Sequence, residues 1–374
     1  MRLLDEARVV LDEVLPGLDK RLAEAPLATW EQPDAPGLAV FKEAGGPALL
    51  VPQEHGGLGG DLLTATQVQR AIGSRSPSLA VATTMHHFSM ASLVELATRS
   101  SGMEWMLLTA VARDSLLVAS GFAEGRAGQG ILTPTMTATE RDGVVVLNGT
   151  KKPCSLARSM DLLSASVVLP GADGNPQLAI AVVPASSPGV SVRPFWNTPS
   201  LAGAESDEVT LTDVEVPQNL VVRTELVDGD RLDHLQTVGF VWFELLMSAS
   251  YLGAATALAD RLLGSTSADV GVQAQVASTI RAATLLVEGT ATRPGAIGED
   301  RLADVLVCRY AVQDAITRVL DLTIEALGGM AFISSGEVAY LAGACRALAF
   351  HPPARHRMAS SLRDYFTGGP LRVP

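Results

Sequence analysis

Residues 135–170 read TMTATERDGVVVLNGTKKPCSLARSMDLLSASVVLP. Thr135, Thr137 and Thr139 alternate with Met136 and Ala138, Val144 to Leu147 form an apolar run, and Asn148-Gly149 is the strongest short-range signal for a tight hairpin. The stretch predicts strands. On both sides of it the sequence reads as helix, so a compact β unit sits between two helical blocks, and that order restricts the fold class.

Working outward, residues 1–115 are helix-compatible, with helices expected near 3–25, 61–74, 77–99 and 102–112. Pro26, Pro33, Pro36 and the cluster Gly56, Gly57, Gly59 and Gly60 punctuate them. Over 116–224, β-branched runs at 116–119, 134–139, 143–148, 161–169, 177–183, 190–194 and 207–213 predict seven short strands in a small barrel or sandwich. Over 225–374 helical spacing returns: Phe240, Phe243, Met247 and Tyr251 form one stripe, and Val305, Val312, Ile316 and Val319 another. Both stripes read as core packing of a helical bundle, and GTATRPGAIGED at 289–300 reads as a loop. The expected fold class is α+β in three parts: a helical N-terminal domain (1–115), a middle domain of short strands in a barrel or sandwich (116–224) and a C-terminal helical bundle (225–374).

Composition narrows the function. The 374 residues are 47% hydrophobic and 18% charged, an ordinary globular composition. A formal net charge of −12 and no basic run argue against nucleic acid as a partner. The opening MRLLDEARVVLDEVL places acids among its first six residues, unlike a secretory signal, and no uncharged apolar run reaches the ~18 residues of a membrane span. Cys154, Cys308 and Cys345 are scattered and odd in number, which suits a reducing cytoplasm better than disulfides or a zinc site, and no compact set of His and carboxylates suggests any metal.

Five segments, in order, carry a resemblance. VPQEHGGLGGDLLTA at 51–65, FAEGRAGQG at 122–130, DGVVVLNGTKKPCSLARSMDLL at 142–163, ESDEVTLTDVEVP at 205–217 and ALGGMAF at 326–332 together resemble the acyl-CoA dehydrogenase family. The resemblance implies that the middle domain (116–224) is a small β-barrel and the C-terminal domain (225–374) a four-helix bundle, together with a homodimer or homotetramer, an FAD cofactor, and oxidation of the α,β carbons of an acyl thioester on CoA or an acyl carrier protein, with electrons leaving to a separate acceptor.

Such chemistry needs a carboxylate base, a flavin and donors on the thioester carbonyl. At the family's commonest base position, in the loop HPPARHRM, this chain has Ala354. Some members carry the base on the first C-domain helix instead; aligning Leu252-Gly253-Ala254 puts Phe243 there and Glu244 one residue later, and Glu244 in its apolar surroundings is the expected base. His351 and His356 are further candidates for proton transfer. By resemblance the flavin contacts fall to Ala123, Glu124, Arg126 and Ser155, with Gly328 and Gly329 letting backbone approach the dinucleotide. Ala123 and Pro153-Cys154-Ser155 replace the family's Thr and its Trp-x-Thr. Lys152 and Arg158 are candidates for a pantetheine-arm phosphate, and His86-His87 reads as a pair of satisfied core histidines. Two alternatives stay open: a flavin-dependent monooxygenase on the same fold, fed reduced flavin by a partner, and a non-catalytic member that has lost flavin.

Overall fold

The computed structural model describes residues 2–100, 103–126, 133–171, 176–225 and 231–373. The stretch 127–130 of the expected flavin-contacting turn lies outside them.

Seven helices come first: α1 (Asp5–Val14), α2 (Leu18–Ala23), α3 (Leu27–Trp30), α4 (Gly37–Glu43), α5 (Leu62–Arg75), α6 (Pro77–Arg99) and α7 (Glu104–Asp114). The single helix expected over 3–25 is broken at Pro16-Gly17, where Gly17 takes a positive φ of 79°. Local chemistry fixes the starts of the two long helices. The Asp61 carboxylate accepts from Thr64 N at 2.8 Å, and Ser76 caps α6 with Pro77 in its first turn.

Eight strands follow: β1 (Val118–Gly121), β2 (Thr137–Arg141), β3 (Val144–Cys154), β4 (Leu162–Pro170), β5 (Pro176–Pro184), β6 (Val190–Arg193), β7 (Asp207–Pro217) and β8 (Val221–Arg223). They pair in the order β6-β7-β3-β2-β4-β5-β8, with β1 running parallel to β4. The result is a mixed sheet, and no ladder among the described residues joins β6 to β8.

The hairpin turn is not where Asn148-Gly149 suggests. Strands β2 and β3 turn at Asp142-Gly143, both at positive φ (51° and 84°), so the Asp-Gly pair supplies the turn. Asn148-Gly149 lies inside β3, at a register shift against β7. There Asn148 Nδ2 donates to Asp213 Oδ1 at 3.0 Å and Asp213 N donates to Asn148 Oδ1 at 2.9 Å. Gly149 has φ 150° and Asp213 φ 50°, the unusual backbone of a bulge. Strand β3 also continues to Cys154, so Lys151 and Lys152 belong to a strand rather than to a loop.

Five helices complete the chain: α8 (His234–Leu263), α9 (Val270–Ala291), α10 (Glu299–Ser334), α11 (Gly336–Ala344) and α12 (Arg355–Phe366). A capping box starts α8: Gln236 N donates to Asp233 Oδ1 at 2.7 Å, and Asp233 N donates back to Gln236 Oε1 at 2.9 Å. Helices α8 and α9 are long and apolar enough to cross a bilayer, but α8 is almost wholly enclosed by protein, which accounts for its apolarity. Its contact with α5 is backbone on backbone. A Cβ at Gly73 would stand 2.1 Å from Ser250 O, and one at Gly253 would stand 2.1 Å from Arg70 O. No side chain separates the two helices there.

Candidate active site

A cavity of about 280 Å³ lies where α6, α8 and the sheet converge. Strand periodicity builds one wall. The registers Ser120↔Ser164 and Ser164↔Val182 set these three residues in a row across β1, β4 and β5, and all three line the cavity. Met85, Phe88, Ser89 and Ser92 of α6 form a second wall, and Gly239, Phe240 and Phe243 of α8 a third. Ser155, Ser206 and Trp196 come from segments around β3 and β7, while His351 and Pro352 close the fourth side.

Among the described residues, no Asp, Glu, Lys or Arg lines this space. Its polar side chains are mostly hydroxyls, with the Gln236 amide, the Trp196 indole and the His351 imidazole besides, and several of the hydroxyls already donate their protons to the protein. Ser89 Oγ donates to Met85 O (2.9 Å), Ser92 Oγ to Phe88 O (3.0 Å) and Thr224 Oγ1 to Leu178 O (2.9 Å). Each such oxygen keeps lone pairs, so these positions offer acceptors rather than donors. Ser155 Oγ and Ser206 Oγ lie 2.9 Å apart and share one hydrogen bond, which leaves one hydroxyl proton unused.

Among the described residues, His351 is the single titratable side chain of the lining. Burial, with the Arg309 cation adding to it, pushes its imidazole down to about 3, so it is neutral at physiological pH. Its Nε2 lies 2.9 Å from the hydroxyl of Tyr251. That hydroxyl has no other partner among the described residues, so we assign Tyr251 as the donor and leave Nδ1 as the protonated ring nitrogen.

Behind this wall, Glu244 Oε2 meets Arg309 Nε at 3.0 Å, both side chains fully buried. The carboxylate lies off the N–H line and makes no aligned hydrogen bond, so it meets Arg309 chiefly as a charge. Burial raises Glu244 to about 7, against the opposing pull of Arg309. Both terminal guanidinium nitrogens have partners: Nη1 donates to Pro353 O (2.8 Å), and Nη2 to Leu348 O (2.9 Å) and His351 O (2.6 Å).

The structure divides the residues singled out in the sequence. Ala123, Ser155 and His351 line the cavity. Glu244 does not; Phe243, its neighbour, does, and the carboxylate is turned to Arg309. Glu124 is engaged inside the β unit, accepting from Lys151 Nζ at 2.9 Å and from Thr135 N at 2.9 Å. Lys152 pairs with Glu208 at 2.7 Å and Arg158 with Asp207 at 3.4 Å, away from the cavity. His356 and Arg126 are exposed outside it, and Gly328, with φ 76°, and Gly329 have open space around them on α10. His86 is a core residue, accepting from Val118 N at 3.1 Å and donating to Pro47 O at 3.0 Å; His87 is buried beside it and accepts from Gln69.

Sequence reading missed Phe240, Phe243 and Tyr251 as site residues, because a helical stripe does not say whether it faces a packed core or a cavity. It missed Ser120, Ser164 and Ser206 as well. The alternation of Ser164 and Ser166 with apolar neighbours in β4 was the available signal.

Residues 3–107 match the family described as acyl-CoA dehydrogenase, N-terminal domain, and residues 119–214 the acyl-CoA dehydrogenase middle domain. The chain is 47% identical to isobutylamine N-hydroxylase of Streptomyces viridifaciens, over 100% of both chains. Among solved structures, KijD3 in complex with FMN and a dTDP-3-amino-4-keto sugar superposes with a TM-score of 0.82 at 19% identity, covering 97% of this chain and 94% of that one. A nitrososynthase from Micromonospora carbonacea var. africana gives 0.79 at 20% identity, covering 97% and 96%.

Proposed function

The chain belongs to the acyl-CoA dehydrogenase family, and on that premise we propose that it is a flavin-dependent monooxygenase that hydroxylates the nitrogen of a small, apolar amine. The observation that carries this reading is a mainly apolar cavity whose polar groups are hydroxyls, the Gln236 amide, the Trp196 indole turned to Ser200 O, and the His351 imidazole, with no charged side chain among its described lining.

Oxygenation at nitrogen uses the lone pair of the free amine. In water an aliphatic amine is mostly ammonium. A cavity with no carboxylate gives that cation no counterion, and desolvation shifts the balance toward the neutral base. The acceptor oxygens of Ser89, Ser92 and Thr224 then suit the N–H donors of a neutral amine, and the apolar walls of α6 and α8 suit its carbon chain and exclude water. The same lining counts against thioester dehydrogenation, which needs a carboxylate at the α-carbon: Glu244 is turned away and Ala354 holds none.

The cavity also fits a flavin ring, a flat, mainly apolar body whose polar edges need a few hydroxyl or backbone partners. Ser155 and Ser206 share one hydrogen bond and retain capacity for such an edge, beside Trp196 and the backbone at Ala123. The FMN in the KijD3 complex favours the mononucleotide over the FAD expected from sequence. When bound and reduced, flavin supplies the two electrons that let one atom of O2 enter the amine as hydroxyl while the other leaves as water. A separate reductase supplies the reduced flavin.

The test is incubation of the purified protein with isobutylamine, oxygen and enzymatically reduced FMN, with mass detection of the hydroxylamine. Product that depends on all three supports the reading. Anaerobic bleaching of bound flavin by a short acyl-CoA, with no amine product, would return the chain to the dehydrogenases.

A further inference from the structure

His351 owes its place to charges outside the cavity. Arg309 of α10 reaches past the cavity wall and binds three carbonyls, those of Leu348, His351 and Pro353. Tyr310, the next residue, donates to Pro353 O as well, at 2.9 Å. A buried guanidinium needs a compensating charge, and Glu244 stands at its Nε. Glu244 and Tyr251 are seven residues apart on α8, two turns along one face. That face therefore holds the 348–353 segment twice: at the backbone of His351 through Arg309, and at its ring through the Tyr251 hydroxyl.

We propose, resting on the amine-oxygenase reading, that Glu244 and Arg309 are positioning residues: the carboxylate neutralises the guanidinium, the guanidinium fixes the 348–353 segment, and the segment presents the neutral His351 imidazole to the amine. A buried ion pair commonly adds little to stability over an apolar replacement, whereas a planar fork of donors can fix several carbonyls at once, which a lysine cannot reproduce. Glu244 thus acts at one remove from the reaction and not as its base.

The experiment uses the full chain as wild type, Glu244→Gln, His351→Gln and the double variant, with Arg309→Lys as a second route should Glu244→Gln fold poorly. Three quantities are read: amine hydroxylation with FMN and isobutylamine, the ¹⁵N ring signals of His351 without flavin, and the thermal midpoint. Assignment of that ring among the six histidines comes from its loss in His351→Gln.

Glu244→Gln should lower kcat by about tenfold or more and move the His351 ring signals. In the His351→Gln background the same change should cost less than about twofold, because its effect passes through that ring. Arg309→Lys should also move the His351 signals. Equal losses in both backgrounds, or His351 signals unmoved in Glu244→Gln and Arg309→Lys, would overturn the proposal. If the wild type hydroxylates no amine, the functional reading fails, and the ring signals alone still decide whether the pair positions His351.

Discussion

The hydroxyl of Tyr251 lies 2.9 Å from Nε2 of His351, on the helix that supplies Phe243 to the cavity wall. Removing that oxygen leaves the ring with aromatic neighbours alone, Phe243 at 6.2 Å and Tyr251 itself at 5.6 Å between centroids. Tyr251→Phe should therefore slow amine hydroxylation by about tenfold while costing only ~1 kcal/mol of stability. FMN affinity, read by fluorescence quenching, should hold. An unchanged kcat would remove His351 from the site.

Acid should weaken the protein through His351 in particular. Its folded value of about 3 lies below the ordinary histidine value of 6.5, so the unfolded chain binds a proton that the folded one refuses. The stability of wild type relative to His351→Gln should fall by about 1.4 kcal/mol for each pH unit between pH 6 and 4. Glu244 runs the other way. Its carboxyl, raised to about 7, retains a proton that the unfolded chain loses near 4.5, so wild type should lose stability relative to Glu244→Gln as pH rises through that window. Denaturant titrations of the three proteins at several pH values check both signs.

Gly253→Ala should be among the most damaging single methyl additions in this chain. The new Cβ would meet a backbone oxygen, Arg70 O, at 2.1 Å, and no side chain can rotate away to relieve it. We expect a loss of about 3 kcal/mol or more, with α5 and α8 forced apart. A midpoint within a degree or two of wild type would contradict the close crossing.

Amine hydroxylation should depend on the free base. With no carboxylate among the described lining to hold ammonium, kcat/KM should rise about tenfold per pH unit up to the amine's own pKa in water. A weaker base, such as a fluorinated analogue of the same shape, should shift that rise to lower pH. A profile independent of the amine's basicity would point to the ammonium ion as the bound form.

Element order was legible in the sequence because it rests on periodicity, and the change from helical to alternating spacing around Leu116 survives any tertiary context. The turn of the hairpin was not. Asp142-Gly143 and Asn148-Gly149 carry the same local signal, and only the opposing Asp213, 65 residues away, makes the second a bulge. The site suffered in the same way. Ser155, Ala123 and His351 could be located by resemblance, but whether Glu244 faces the cavity or Arg309 is decided by a partner on another helix. Lys152, Arg158 and Glu124 read as ligand contacts because sequence does not reveal that Glu208, Asp207 and Lys151 already hold them.

The bare backbone crossing at Gly73 and Gly253 bears on how anything enters. Side chains between helices can repack and let one slide past the other; two main chains in contact cannot, so α8 is tied to α5 as one body. Phe240 and Phe243 therefore belong to a stationary wall, and a guest is admitted by movement elsewhere than on α8.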